Sequence, residues 1–231
     1  MSFLSPGSTS RKAFNIIFGD PGTPAVNPTA FAWDPVEQNS AAGWPTVYSN
    51  QNRRAVITSQ PSFTAGGVRT SAVFTAKSYA EIVVSVMDSF RGAGFGVVDS
   101  SFATTTTFYV GGAYTVCGVT NGSGIPIGTC LNGAQAGNGA CATPDGTVVG
   151  IAFDPATGNL WFSINGVWIS GNPATNTAPT ATLPLAGATY QIISQQYGQN
   201  GGGLTADQTI NVTASEMAYP IPAGFASFSG G

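Results

Sequence analysis

The chain has 231 residues and a net charge of −3, long enough to bury a sizeable core, but Asp, Glu, Lys and Arg make up only 7% of it, against roughly 25% in an ordinary globular protein. Its seven Lys and Arg exclude the basic footprint that nucleic-acid binding needs, and no apolar run approaches the ~18 residues of a membrane-spanning helix. Its 14 Phe and 4 Trp exclude a disordered chain, and Gly, Ser, Thr, Asn and Gln stand in for the missing charge, a composition that gives a neutral polar surface suited to packing against neighbours in an assembly.

The N-terminal sequence MSFLSPGSTSRK lacks the long hydrophobic stretch of a secretory leader, so synthesis in a cytoplasm is expected. Residues 1–28 hold Pro6, Pro21, Pro24 and Pro28, with Phe14-Asn-Ile-Ile-Phe18 as their strand-like piece. They read as an arm that anchors to a partner by strand addition, or as an outer strand of the fold. Gly19–Pro24 lacks the Gly-Lys-Ser/Thr close of a phosphate loop. Short strands are expected around Thr46–Tyr48, Ala55–Thr58 and Val68–Thr75, with turns at Asn50–Arg54 and Ala65–Gly67. Arg53 and Arg54 read as solvated turn charges. Glu81–Met87 is a strand with Ile82, Val84 and Val86 on one side, and Phe90–Val98 is another. Its Gly92, Gly94 and Gly96 do not make a dinucleotide loop, because Val97 stands where a third Gly belongs.

Strands are expected on both sides of Gly111-Gly112, at 104–110 and at Tyr114–Val119, and Asn121–Asp145 is expected to be a long irregular loop. From Gly146 to Ile169 the chain reads as a three-stranded antiparallel meander. Val149, Ile151 and Phe153 alternate in its first strand and Leu160, Phe162 and Ile164 in its second, the mark of a sheet with one face on a core. Asp154-Pro155-Ala156-Thr157-Gly158 and Asn165-Gly166 are its turns, the latter matching a type I′ hairpin that needs positive φ twice. Ser170–Pro184 is a long polar connection, and Tyr190–Tyr197 and Thr209–Ala214 are the last strands. No stretch has convincing helical periodicity, so the fold class is all-β.

The order VVGIAFD, a Gly-containing turn, then LWFSINGVW resembles the central signature of the SPRY domain. Phe31–Pro35, Val47–Val56 and Ser78–Val86 resemble its opening strands, and Met217–Phe225 resembles its Pro-x-Gly-Phe close, so the likeness covers roughly residues 29–228. It implies one domain at 29–231, a two-sheet antiparallel β-sandwich of the concanavalin-like jelly-roll kind, and a structural role for Glu81. The Gly-Asn-Pro at 171–173 and the ending look most like copies in tailed-phage structural proteins. That narrower likeness implies a decoration, fibre or tail-tip component of a virion, bound to other virion proteins and repeated as a homo-oligomer or symmetric assembly.

Chemistry is poorly provided for. With no histidine, Ser-His-Asp and Cys-His arrangements are excluded. Glycoside hydrolysis needs two carboxylates at a set spacing, and the ten acids are scattered; Asp154, in a turn, reads as bonding its own backbone. No cofactor is expected, and a zinc site is disfavoured by the absence of any Cys-x-x-Cys pair. Cys117, Cys130 and Cys141 read as free thiols, or as one disulfide plus a thiol able to bridge to a neighbouring chain. Tyr109, Tyr114, Trp161, Trp168 and Tyr197 are the candidate glycan-stacking residues, Trp161 foremost because it points away from Leu160 and Phe162. The alternative for Trp161 is that it covers the outer side of a sheet or a subunit contact. A peptide-binding adaptor is the remaining expectation.

Overall fold

The computed structural model describes residues 31–35, 45–58, 65–87, 92–103, 112–118, 126–132, 134–140, 145–197 and 205–229. The strands there are β1 (Thr46–Ser49), β2 (Arg54–Thr58), β3 (Ala65–Val73), β4 (Ser78–Met87), β5 (Gly92–Asp99), β6 (Ala113–Gly118), β7 (Pro126–Leu131), β8 (Ala134–Ala140), β9 (Thr147–Asp154), β10 (Asn159–Ile164), β11 (Val167–Trp168), β12 (Ala181–Thr182), β13 (Tyr190–Tyr197), β14 (Thr205–Asn211) and β15 (Ala226–Ser227). A single 3-10 turn, Pro173–Thr175, is the helical element among the described residues. The larger sheet has the order β1-β2-β14-β4-β9-β10-β11, with β12 also on β10 and β15 on β4; the smaller has the order β3-β13-β5-β6-β7-β8. β15 runs parallel to β4, and the other pairings are antiparallel.

The core forms because strand alternation aims one row of each sheet at the other. Ile82 and Val84 of β4, Val149, Ile151 and Phe153 of β9, and Leu160 and Phe162 of β10 join Phe95 and Val97 of β5, Val116 of β6 and Ile192 of β13 in one buried cluster. Each such side chain contributes about 1.5–3 kcal/mol on leaving water. Edge-to-face ring contacts tie the layers together, Phe74 on Phe153 at 5.2 Å and Phe153 on Tyr190 at 5.4 Å. Toward one end the core turns polar: the Ser194 hydroxyl donates to Gln208 Oε1, and Gln196 Nε2 donates to Ser194 Oγ at 2.9 Å and to Gln208 Oε1 at 3.1 Å.

The meander at 146–169 is present as β9, β10 and β11. Asn165 and Gly166 both take positive φ, 48° and 77°, and Asn165 Oδ1 accepts the Val148 N–H at 2.8 Å. Asp154 bonds its own turn as expected, accepting the Ala156 N–H at 3.0 Å. One side of the sandwich is closed by residues 31–35: Trp33 N–H donates to Asn52 O at 3.0 Å and Asp34 N–H to Arg69 O at 2.8 Å, joining the β1–β2 turn to β3.

Several expectations are corrected. Ala65–Gly67 is strand rather than turn, because Gly67 lets β3 approach β13 so closely that a Cβ would lie 2.8 Å from Ser194 O. The expected loop at 121–145 contains the hairpin β7–β8; these Gly-rich strands lack alternating apolar residues and form by backbone pairing onto β6. Arg53 and Arg54 are not simply solvated: Arg53 pairs with Glu216, and Arg54 grips Asp207 in a two-pronged contact at 2.8 and 2.6 Å. The arm at 1–28 and the expected strand at 104–110 lie outside the described residues.

Candidate interaction surface

On the outer face of the larger sheet, Tyr79 and Glu81 of β4, Ala152 of β9 and Trp161 of β10 alternate with the core residues. They do not meet water. Residues 212–225 cross this face as a strap, setting Met217, Ile221 and Phe225 against Tyr79, Ala152 and Trp161, with Phe225 edge-on to Trp161 at 6.1 Å. β9 is therefore buried along its whole length, whereas its alternation alone accounted for one covered face.

Carboxylates hold the strap. Glu81 is fully buried and accepts from Ala218 N–H at 2.7 Å, Tyr219 N–H at 2.9 Å, Tyr79 Oη at 2.9 Å and Asn211 Nδ2 at 3.4 Å. The structural role implied for it by the resemblance is what the bonds display. Burial, and next the adjacent Glu81 charge, push the Tyr79 phenol up from its ordinary pKa. Glu216 accepts from Thr213 N–H at 3.1 Å and Val212 N–H at 3.3 Å and pairs with Arg53. Burial pushes its carboxyl up, but the hydrogen bonds from Thr213 and Val212, with the Arg53 charge, outweigh this and hold it below the usual carboxylate value. Lys77 lies 4.7 Å from the centre of the Phe225 ring and 3.7 Å from Asp154 Oδ2.

The edge of the same sheet is built differently. β11 and β12 both line β10, and between them Ile169 N–H donates to Phe162 O at 2.9 Å and Thr180 N–H to Leu160 O at 2.8 Å. The chain leaves this edge after Ile169 and returns at Thr180. The excursion is held by neutral groups: Asn172 Oδ1 caps the 3-10 turn through Ala174 N–H at 2.9 Å, Asn159 Nδ2 donates to Asn176 Oδ1 at 3.1 Å, and Trp161 Nε1 donates to Thr177 O at 3.0 Å. Gly171 and Ala178 have φ of 53° and 41°; for Ala, this left-handed conformation costs about 1–2 kcal/mol. A Cβ at Gly171 would lie 2.1 Å from Thr177 O. The result is a rigid loop whose tip is exposed, flanked by Val167 at 71% exposure and Ile169 at 43%.

Of the aromatic candidates, Trp161 and Trp168 lie on the outer face of the larger sheet and Tyr114 lies between the sheets. Trp161 points away from Leu160 and Phe162 as expected, yet it is completely buried beneath the strap, so the expectation of an open stacking platform there is corrected in favour of its covering the sheet's outer side. Tyr114 lies in the core between the sheets, 6.2 Å from Tyr190, and is likewise closed to a ligand. Trp168 is half-buried at the margin of the strap, edge-on to Tyr79 at 6.1 Å. Tyr197 ends β13, opposite Gly92 and Ala65, and Tyr109 lies outside the described residues. Cys117 is in register with Gly128 and Cys130 with Thr115 on neighbouring strands; Cys141 lies outside the described residues. The excursion itself was missed as a site. Its signal was Asn172-Pro173, a turn-initiating pair, which was singled out for its resemblance while the stretch was expected to be a polar connection.

No protein-family model matches the sequence, and no curated protein sequence matches it. Solved structures do match in shape. The SPRY domain of human HERC1 superposes with a TM-score of 0.52 at 10% identity, over 77% of this chain and 97% of that one. The PSpry domain of TRIM65 gives 0.53 at 14% identity, over 78% and 88%. At such identities the likeness speaks for the fold alone: the chain is a two-sheet β-sandwich similar in shape to SPRY domains.

Proposed function

We propose that the chain is a non-catalytic protein-interaction module and, more finely, a structural component of a tailed-phage virion that binds other virion proteins. The observation that carries the module reading is the exposed excursion at 170–180, which is fastened by hydrogen bonds within the chain and has no titratable side chain at its tip. A preformed loop loses little conformational freedom on binding, which favours recognition. Among the described residues the carboxylates are engaged in holding the fold: Glu81, Asp154 and Glu216 as above, Asp207 by Arg54, Asp99 by its own turn through Ser101, and Asp145 by Met87 N–H. The virion reading is supported by the low-charge composition and by the phage-like form of the short motifs. Glycan stacking is disfavoured by the burial of Trp161, while a peptide partner remains compatible with the same edge.

The test is capture of particle proteins by the immobilised chain, together with imaging of purified particles for its density. Stoichiometric recovery of the chain in particles and capture of a particle protein are expected. Absence from particles overturns the virion reading, and failure to capture any protein partner overturns the module reading.

A further inference from the structure

Where β13 and β14 face each other the core is polar. Ser194 and Gln196 alternate with Ile192 along β13, and Gln208 stands between Ala206 and Ile210 along β14. Ile192, Ala206 and Ile210 belong to the core cluster, so the three polar side chains point between the sheets, and all three are completely buried. They bond one another: Ser194 Oγ donates to Gln208 Oε1, and Gln196 Nε2 donates to Ser194 Oγ at 2.9 Å and to Gln208 Oε1 at 3.1 Å. The other end of each amide is left over. Among the described residues, Gln196 Oε1 and Gln208 Nε2 are buried polar atoms without a hydrogen-bond partner. Turning both amides end for end exchanges their roles but keeps the balance, one carbonyl and one NH2 group still to be satisfied.

We propose that these two open groups form an internal water site between the sheets, the water donating to the free carbonyl and accepting from the free NH2. A polar group sealed away without a partner is costly, and folded proteins satisfy such groups with buried water, about one molecule per 27 residues. The occupant must both donate and accept, which water does. The three side chains are neutral, so an ion would enter without a counter-charge; Asp207, the charged residue of β14, is held by Arg54 instead. Space comes from small neighbours. Gln196 is in register with Ala93 of β5 and Gln208 with Ala55 of β2, and Ala206 precedes Gln208 on the same face. A methyl group in each of these places fills little of the volume between two glutamines. The pairing of β14 with β4 also shifts register between Asp207 and Gln208, an irregularity that bends the ladder locally. This water belongs to the sandwich itself and is independent of the interaction role.

The experiment is NMR of the isotope-labelled full chain, reading magnetisation transfer from water to the side-chain NH2 groups of Gln196 and Gln208 and to the methyls of Ala93 and Ala206. In wild type, cross peaks with the sign of long-lived bound water, as opposed to chemical exchange, are expected at an NH2 group and at the methyls. The double variant Gln196→Leu with Gln208→Leu removes donor and acceptor together and is expected to lose the methyl peaks. Gln196→Met, which keeps the bond between Ser194 and Gln208, is the milder variant and is expected to weaken them severalfold; circular dichroism verifies that each variant folds. A wild type without such peaks at either NH2 group or either methyl overturns the proposal, and that reading needs no variant. Methyl peaks of wild-type size in whichever of the two variants folds overturn it as well, because the water would then be held by something other than the two glutamines.

Discussion

Trp161 and Trp168 stand on the same face of the larger sheet, where two segments fastened on opposite plans meet. Around Trp161 the strap at 212–225 is fastened by charged groups, Glu81 to two backbone N–H groups and Glu216 to Arg53. The excursion at 170–180 is fastened by amides, hydroxyls and backbone carbonyls, one of the bonds coming from Trp161 itself. Ionic fastening holds a segment that must stay down over apolar surface. Neutral fastening leaves an outer surface that a partner can cover without stranding a charge.

The largest effect is expected from Trp161→Ala, which removes a fully enclosed ring beneath the strap and its bond to Thr177 O of the excursion and should cost about 3–5 kcal/mol in chemical denaturation. A Trp168→Ala variant, with a ring only half covered, should cost clearly less; equal losses would erase the distinction. Next is Glu81→Ala, which leaves the Ala218 and Tyr219 N–H groups without their acceptor and should cost about 2–3 kcal/mol. Hydrogen exchange should then accelerate at those two amides and not at Ala174 or Asn176. Gly166→Ala follows: its φ is 77° and a Cβ would meet Tyr219 Cδ1 at 2.4 Å, so a loss of about 1–2 kcal/mol is expected, with the strap displaced over the hairpin.

Acid sharpens the contrast further. The Glu216 carboxyl is held below its ordinary value in the fold, so its contribution is fully present above the unfolded value of about 4.3 and is lost as pH falls through the folded one. Exchange protection of the strap should drop on acidification and that of residues 170–180 should not, and Glu216→Gln should remove the strap's share of the response. The smallest effect on stability is expected from Val167→Lys, an exposed site where a change within about 0.5 kcal/mol is the norm.

Much of the fold was legible because local chemistry agreed with tertiary structure. Asn165-Gly166 can hardly be anything but a tight hairpin, and the rows Val149-Ile151-Phe153 and Leu160-Phe162 announce their inward face whatever lies opposite. The β7–β8 hairpin was missed for the converse reason: its strands lack patterned apolar side chains, and the Asn132-Gly133 dipeptide, the same turn signal that marked the meander, went unread amid glycine and asparagine. The site was less legible still. Trp161 was correctly aimed outward, but outward proved to mean beneath a strap contributed by residues more than fifty positions later.

By itself the sequence determined the all-β class, the central hairpin and the scarcity of charge, since these depend on φ preferences, period-two alternation and composition, which act over a few residues. Tertiary structure decided what covers each face and which acids bond which amides. Those outcomes depend on contacts between distant segments, and no local preference encodes them.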